Sequence, residues 1–437
     1  MGRTKDQLSP LYQRLPHGPS GLGRGEVELN QRMRLCGAMV EAVARKGYER
    51  TTVAHVVALA GVSRRAFYEL FESKEGCFLG TYEVIVAQQR KRVLQAWVSE
   101  RGWSNRLHAS CAALLGGVAR SPKGPRLVLV NSLGIGPPAR ERMLLAGLVF
   151  ERVVATAFEL APAEAAYSEL TPRVVVAGVR HLVLTKLLER RHRELASHTD
   201  EVLHWIEAYR IPEDMRLRTL TLCGPAHMPP TPAAFLTGND RRARLLGSVV
   251  HLTLDEGYAA LTDPQIAHFA GVSTEAFHRQ FENKEECFLT VLDEFVAEML
   301  DCVRPAMDEA DSWEQGVCRA MGAFMSHLIA HEALLRIAFI DLFEVGPAMI
   351  GRMTSSVAEL TAMLTETAPP PERAPEIVRE LVTGGVWGVI SSLVSNKRLS
   401  RMPSLVDHLA FIVLAPYVGP RAAIEAIAAA QCSPGNP

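Results

Sequence analysis

Arg64, Arg65 and Tyr68 lie within one short stretch, SRRAFYELF (63–71), whose spacing gathers them on a single helical face. Phe67 and Phe71 stand four residues apart on the other side of that helix, placed to anchor it in a core. Two guanidiniums and a phenol at the start of a short helix suit contact with DNA. Arginine can hydrogen-bond guanine bidentately, and tyrosine can donate to phosphate. Ser63 is positioned to cap this helix by accepting from a free backbone N–H, and Thr52 to cap a shorter helix over 53–60. Gly61-Val62-Ser63 between them reads as a tight turn. Two short helices joined by a glycine-containing turn form the helix-turn-helix pattern, in which the second helix meets base edges. Ser73 begins the next helix, with Lys74 at its start beside the expected phosphate track.

Other chemistries find little support. There is no GxSxG elbow, no G-x-x-x-x-G-K-[ST] loop and no HExxH, so no enzymatic reaction is expected. GLGRG (21–25) and GIG (134–136) do not follow a strand and open a helix as a dinucleotide fingerprint requires. His327 and His331, at i and i+4, could clamp a metal on one helix face, but no third ligand accompanies them and no metal site is assigned. The eight cysteines (36, 77, 111, 223, 287, 302, 318, 432) are scattered singly with no CxxC pair, as in a protein with reduced thiols. No cofactor is expected.

The elements that would carry these residues repeat. GYERTTVAHVVALAGVSRRAFYELFESKEGCFL (47–79) and GYAALTDPQIAHFAGVSTEAFHRQFENKEECFL (257–289) share 16 identities in 33 positions, without a gap, at an offset of 210. Trp103 matches Trp313, Gly136-Pro137 matches Gly346-Pro347, and Arg142-Met143 matches Arg352-Met353. The register then drifts by a few residues, although VVVAGVRHLV (174–183) still echoes ELVTGGVWGVI (380–390). Such a long period is a duplication of a whole unit, not a solenoid repeat. The 437 residues suffice for it, and 48% hydrophobic with 22% charged residues fit a packed core rather than disorder. The net charge of -1 excludes nothing, because charge acts locally.

Apolar residues recur at helical spacing, as at Leu35, Met39 and Val43, and Gly47 closes that helix. No run of period-two pattern survives, so the chain reads as all-α. Its expected organisation is a flexible arm (1–30), a headpiece (31–91), a helical body (92–212), a proline-rich linker (213–240), a second, degenerate headpiece (241–301), a second body (302–424) and a tail (425–437). PPPERAP (369–375) reads as a loop. No apolar run reaches the ~18 residues a membrane helix needs, and the polar N-terminus has no signal-peptide core. A soluble, cytoplasmic protein without membrane contact is expected.

AGVSRRAFYELFESKEGCFL (60–79) resembles the headpiece of the TetR family: a GVS turn, an aromatic–Tyr pair, a further Phe, then Lys-Glu opening a long helix. The resemblance implies two TetR-like copies. Each would have a three-helix helix-turn-helix headpiece and a helical ligand-binding and dimerisation bundle. It implies a sequence-specific DNA-binding regulator, a ligand-responsive repressor acting on a double-stranded operator. The DNA-facing set is then Thr52, Ala54, Ser63, Arg64, Arg65, Tyr68 and Lys74, with Lys284 as a further candidate. A small apolar effector would enter a pocket in the body; its identity is not legible. Met321, Phe324, Met325, Phe339, Phe343 and Met349 form a stripe there that serves as plain core or as pocket lining.

The copies are unequal. Phe277 and Phe281 keep the anchors and Ala270-Gly271-Val272-Ser273 the turn, but Arg64 becomes Thr274, Arg65 becomes Glu275 and Tyr68 becomes His278. Lys284 is retained and Arg279 is new. Residues 31–79 hold eight Lys/Arg against five Asp/Glu, a net +3, while 241–289 hold five against seven, a net -2. Phosphate contact supplies most nonspecific affinity, so the second headpiece is expected to bind weakly, to read a different half-site, or to persist as a structural relic. One chain could pair its own copies as a pseudo-dimer, with or without further homodimerisation, setting the recognition helices ~34–36 Å apart. The late helices, roughly 172–190 with 198–210 and 376–397 with 403–417, are the candidates for that pairing, with Gly384, Gly385 and Gly388 allowing close approach. Arg14 and Arg24 flank LPHGPSGLG, an arm that either enters a minor groove or stays mobile. The competing function is a small-molecule sensor or interaction scaffold with weak or lost operator binding.

Overall fold

The computed structural model describes residues 23–133, 135–162, 166–215, 233–341, 358–369, 375–396 and 398–432, with Val345 and Ser355. Residues 1–22, most of the linker (216–232), Phe343, Met349, most of the 369–375 segment and 433–437 lie outside the described residues. Among the described residues the chain is helical, and its one sheet-like feature is an isolated bridge between Ala166 and Ile211.

The first copy runs through α1 (Arg24–Lys46), α2 (Val53–Ala60), α3 (Arg64–Leu70), α4 (Lys74–Ser99), α5 (Trp103–Arg120), α6 (Lys123–Arg126), α7 (Pro137–Glu159), α8 (Thr171–Leu188) and α9 (Thr199–Glu207). The second runs through α10 (Arg241–Glu256), α11 (Asp263–Phe269), α12 (Thr274–His278), α13 (Lys284–Asp308), α14 (Trp313–Ala330), α15 (Glu332–Arg336), α16 (Pro375–Ser395) and α17 (Val406–Cys432). Helices α2 to α5 start 210 residues before α11 to α14. So do two single π-turns, Leu127–Asn131 and Ile337–Asp341, where the two sequences share little.

Capping explains the shared starts. Thr52 Oγ1 accepts from His55 N and Thr262 Oγ1 from Gln265 N; Ser63 and Ser273 accept from Ala66 N and Ala276 N; Ser73 and Asn283 accept from Gly76 N and Glu286 N. Gly61 and Gly271 make the turns at φ 60° and 65°, a left-handed backbone that glycine adopts without steric cost.

Two boundaries and one reading of apolar length differ from the sequence reading. Helix α1 begins at Arg24, inside the segment read as an arm, because Gly23 N–H donates to Glu26 Oε2 (2.9 Å) and Arg24 pairs with Glu28 (2.9 Å) across one turn. Helix α17 reaches Cys432 through the segment read as a tail, with Ile427 buried against the core. The segments 376–395 and 403–430 are also long and apolar enough to cross a membrane by length and composition, which a search for an unbroken apolar run does not register. In the fold α16 is packed along α8, where the glycines of the two helices meet.

That crossing joins the copies. A Cβ built on Gly388 would lie 2.1 Å from Ala177 Cβ, and one on Gly384 would lie 2.4 Å from His181 Cβ. The pairs 177/384 and 181/388 share an offset of 207, so each helix presents to the other the residues it receives, as at a two-fold interface. The hydrogen bonds of Trp103 Nε1 to Ala157 O (2.8 Å) and Trp313 Nε1 to Leu364 O (2.7 Å) follow the same shift, 210 before it and 207 after it. Lys186, almost fully buried on α8, reaches Glu380 Oε1 on α16 at 2.7 Å, and Tyr209 donates to Ile412 O at 3.0 Å.

Two apolar clusters result. One, around Leu35, Met39, Phe67, Phe71 and Phe78, belongs to the first headpiece and the elements beneath it. The other is continuous through the first body, the second body and the second headpiece, and includes Phe277 and Phe281.

Candidate nucleic-acid interface and ligand cavities

Helix α3 rests on Phe67, which is fully buried, and on Phe71, which follows its last turn. Its opposite face carries Arg64, Arg65 and Tyr68, all exposed, with Tyr68 at 57%. Arg65 Nε lies 3.0 Å from Glu69 Oε1, an ion pair with both partners well exposed, so water and phosphate can compete for the guanidinium. Thr52 and Ala54 are exposed at the start of α2. The Thr52 and Ser63 hydroxyls are the caps already described, so what these residues offer outward is free only in part.

Lys74 sits differently from the expectation of an open phosphate contact. Its Nζ donates to Tyr48 O at 3.2 Å and lies 4.0 Å from the centroid of the Tyr48 ring. Lys284 repeats this, donating to Tyr258 O (3.2 Å) and Leu261 O (2.7 Å) over the Tyr258 ring (4.6 Å). In both copies the lysine clasps the helix-turn-helix to the loop before it. Arg34, which sequence reasoning missed, donates from α1 to the carbonyls of Ala60 and, at 2.8 Å, Gly61. It thereby braces the turn that sets the α2–α3 angle. Its only sequence signal is a charge on the helix ahead of the motif.

The second face has another character. Helix α12 spans five residues against seven in α3, and carries Thr274, Glu275 and His278 outward. His278 Nδ1 is 3.2 Å from Glu282 O and Nε2 is 3.9 Å from Asp263 Oδ2, which draws the ring back onto its own headpiece. Arg279 is exposed.

Each body holds an apolar cavity between the same helices. In the first it measures about 210 Å3 and is lined by α4, α5, α7 and α8, for example by Ile85, Cys111, Leu114 and Val179. In the second it measures about 70 Å3, with Met321, Phe324 and Phe339 on its wall. Met325 is buried beside it. Near it, His331 Nδ1 is 2.9 Å from His327 O and His327 Nδ1 is 3.8 Å from Cys302 Sγ, while the Phe295 ring stacks on His327 at 5.1 Å. Burial, with the neighbouring His331, pulls the His327 pKa down to about 4. No group of three or more His, Cys, Asp or Glu suited to a metal occurs among the described residues.

An all-helical chain with two helix-turn-helix headpieces, one presenting a cationic recognition face, has the architecture of a DNA-binding protein. Comparison with known proteins identifies the headpieces. The sequence pattern described as bacterial regulatory proteins, tetR family, matches residues 38–81 and again 250–291. Both matches fall on the headpieces, so the chain carries a TetR-type headpiece twice in tandem. It is similar to the HTH-type transcriptional activator FasR of Mycolicibacterium smegmatis, 32% identical over 98 residues, which is 22% of this chain and 44% of FasR. Among solved structures it is similar to the fatty acid degradation regulator FadR of Bacillus halodurans (20% identity, 41% of this chain and 96% of that one, TM-score 0.37). Another is FadR of Bacillus subtilis in complex with stearoyl-CoA (14% identity, 40% and 96%, TM-score 0.36).

Proposed function

We propose that this chain is a sequence-specific DNA-binding transcription regulator of the cytoplasm. Its two copies pair within one polypeptide as a pseudo-dimer, and its bodies respond to a small, largely apolar ligand. The observation that carries the reading is the contrast between the recognition faces. Arg64, Arg65 and Tyr68 stand exposed on a headpiece of net +3, while Thr274, Glu275 and His278 stand on one of net -2. The first headpiece supplies the dominant half-site contact, and the second adds a weak or different one. The reciprocal α8–α16 crossing supports pairing within the chain, because it uses the surface that a two-fold dimer would use. The cavities support a ligand response, since a ligand that prefers one arrangement of the bodies shifts the population of headpiece positions.

Selection of bound sequences from random DNA, followed by mobility-shift titration, tests this. Arg65→Ala is expected to cost about 1–3 kcal/mol of binding, and Glu275→Ala to change it little or improve it. Equal losses from both variants would remove the dominance of the first headpiece. Failure to select any DNA would favour a sensor or scaffold that has lost operator binding.

A further inference from the structure

Arg180 lies on α8 with its side chain on the wall of the 210 Å3 cavity of the first body. It also lines a second, smaller pocket of about 110 Å3 at the seam between the copies, whose lining includes Arg140, Glu151, Arg173, Ser392 and Ser395. Among the described residues Arg180 has no hydrogen-bond or ion-pair partner. Glu151 is close enough to act on it electrostatically but is paired with Arg173 at 3.2 Å. Burial draws the Arg180 pKa below the usual arginine range, against the opposing pull of Tyr82 and Glu151. A guanidinium stays protonated in proteins, so a cation with no anion in hydrogen-bonding reach borders an apolar chamber.

The second copy has lost this arrangement. The crossing aligns Ala177 with Gly384 and His181 with Gly388, which puts Trp387 at the position of Arg180. The Trp387 ring stacks on Phe339 at 3.9 Å, and Phe339 stands 210 residues after Leu129 of the first wall. Cys111 and Leu114 likewise become Met321 and Phe324. All these residues line the respective cavities, so the smaller one is the same site with its volume taken up by larger side chains.

We propose that the chain has one effector site, in the first body, that takes an aliphatic chain bearing an anionic head, with Arg180 receiving the head where the cavity meets the seam. The inference rests on the ligand-responsive reading above and specifies its site, stoichiometry and ligand charge. The chamber exceeds the ~150 Å3 that suffices for benzene, so a chain of roughly ten carbons is a fitting probe. A carboxylate and a phosphate ester offer Arg180 the same chemistry. The site also lies against the α8–α16 crossing, so occupancy bears directly on how the copies meet.

Calorimetric titration of the full chain with decanoate, decyl phosphate and decanol tests the proposal. One mole of anionic probe should bind per mole of chain, and decanol should bind roughly tenfold more weakly or worse. Whichever of decanoate and decyl phosphate binds more tightly identifies the head group. Arg180→Met should remove the preference for the anion and leave decanol binding unchanged, Arg180→Lys should retain most of the preference, and Leu114→Phe should reduce all binding. Two moles bound per chain, equal binding of decanol, an Arg180→Met variant that still prefers the anion, or no binding of any probe would overturn it. Mobility shifts of the same samples without probe report the regulator reading separately. Loss of DNA binding in Arg65→Ala with no binding of any probe would sink the effector site alone. Retained stoichiometric binding with no DNA recognition would sink the regulator alone.

Discussion

Lys74 and Lys284 occupy equivalent positions in headpieces whose recognition faces have diverged, and the geometry gives a reason for keeping both. Each ammonium satisfies a carbonyl of the preceding loop and rests on a tyrosine ring. A part-buried, charge-assisted hydrogen bond together with a cation–π contact is worth about 1–2 kcal/mol. Lys74→Ala and Lys284→Ala are therefore both expected to destabilise their headpieces by about that amount in urea denaturation. Only Lys74→Ala should also weaken operator binding in a mobility shift. An unchanged denaturation midpoint for Lys284→Ala would show that the clasp contributes nothing. The recognition face was legible because helical spacing and residue type decide it locally: Phe67 and Phe71 inward put Arg64, Arg65 and Tyr68 outward. The engagement of Lys74 and the bracing by Arg34 were not legible. Both link residues 26 or 27 apart through backbone carbonyls, which any sequence supplies everywhere.

At the scale of elements, caps carried most of the information. Thr, Ser and Asn at matched positions start matched helices, and the offset of 210 persists through the π-turns. The later drift of the register was visible in the sequence, but its value of 207 emerges from the crossing of α8 and α16 and from the matched tryptophan hydrogen bonds. Both sides of that crossing are now defined. Gly388→Val is expected to cost 3 kcal/mol or more, roughly the upper end for overpacking, because its Cβ would fall 2.1 Å from Ala177 Cβ. Gly247→Ala is the control. It lies inside α10 with nothing within 4 Å of the added carbon, so helix propensity alone should stabilise the chain by up to about 1 kcal/mol. Denaturation midpoints of the two variants should move in opposite directions. A neutral Gly388→Val would mean that the copies do not rely on this contact.

At the scale of the molecule, the core of the first headpiece closes on a short stretch of the first body, with Leu127 and Val128 among its buried residues, while the second headpiece shares one larger core with both bodies. The second headpiece is thereby tied into a more extensive apolar cluster than the first. His181 and His327, with His198 and His408 lowered in the same direction by burial, place a pH dependence in the joined bodies. His181 borders the α8–α16 crossing, where burial, with help from the Arg180 charge, lowers its pKa to about 4, and His327 in the second body is held at about 4 chiefly by burial. Both are neutral in the folded chain at neutral pH. Between the unperturbed value near 6.5 and a folded value near 4, the unfolded chain binds protons that the folded chain refuses. Stability then rises with pH, so acidification through this window removes it, by up to about 3 kcal/mol for each histidine at pH 4. All five tryptophans, Trp97 at the body end of α4 and Trp103, Trp205, Trp313 and Trp387, lie outside residues 31–91, so indole fluorescence chiefly follows the bodies. Urea denaturation followed by that signal should shift to lower midpoints as the pH falls from 7 to 4.5. His181→Asn and His327→Gln should each flatten the dependence. A midpoint that does not change over this range, or a slope that neither substitution reduces, would show that His181 and His327 do not set the acid limit of the joined bodies.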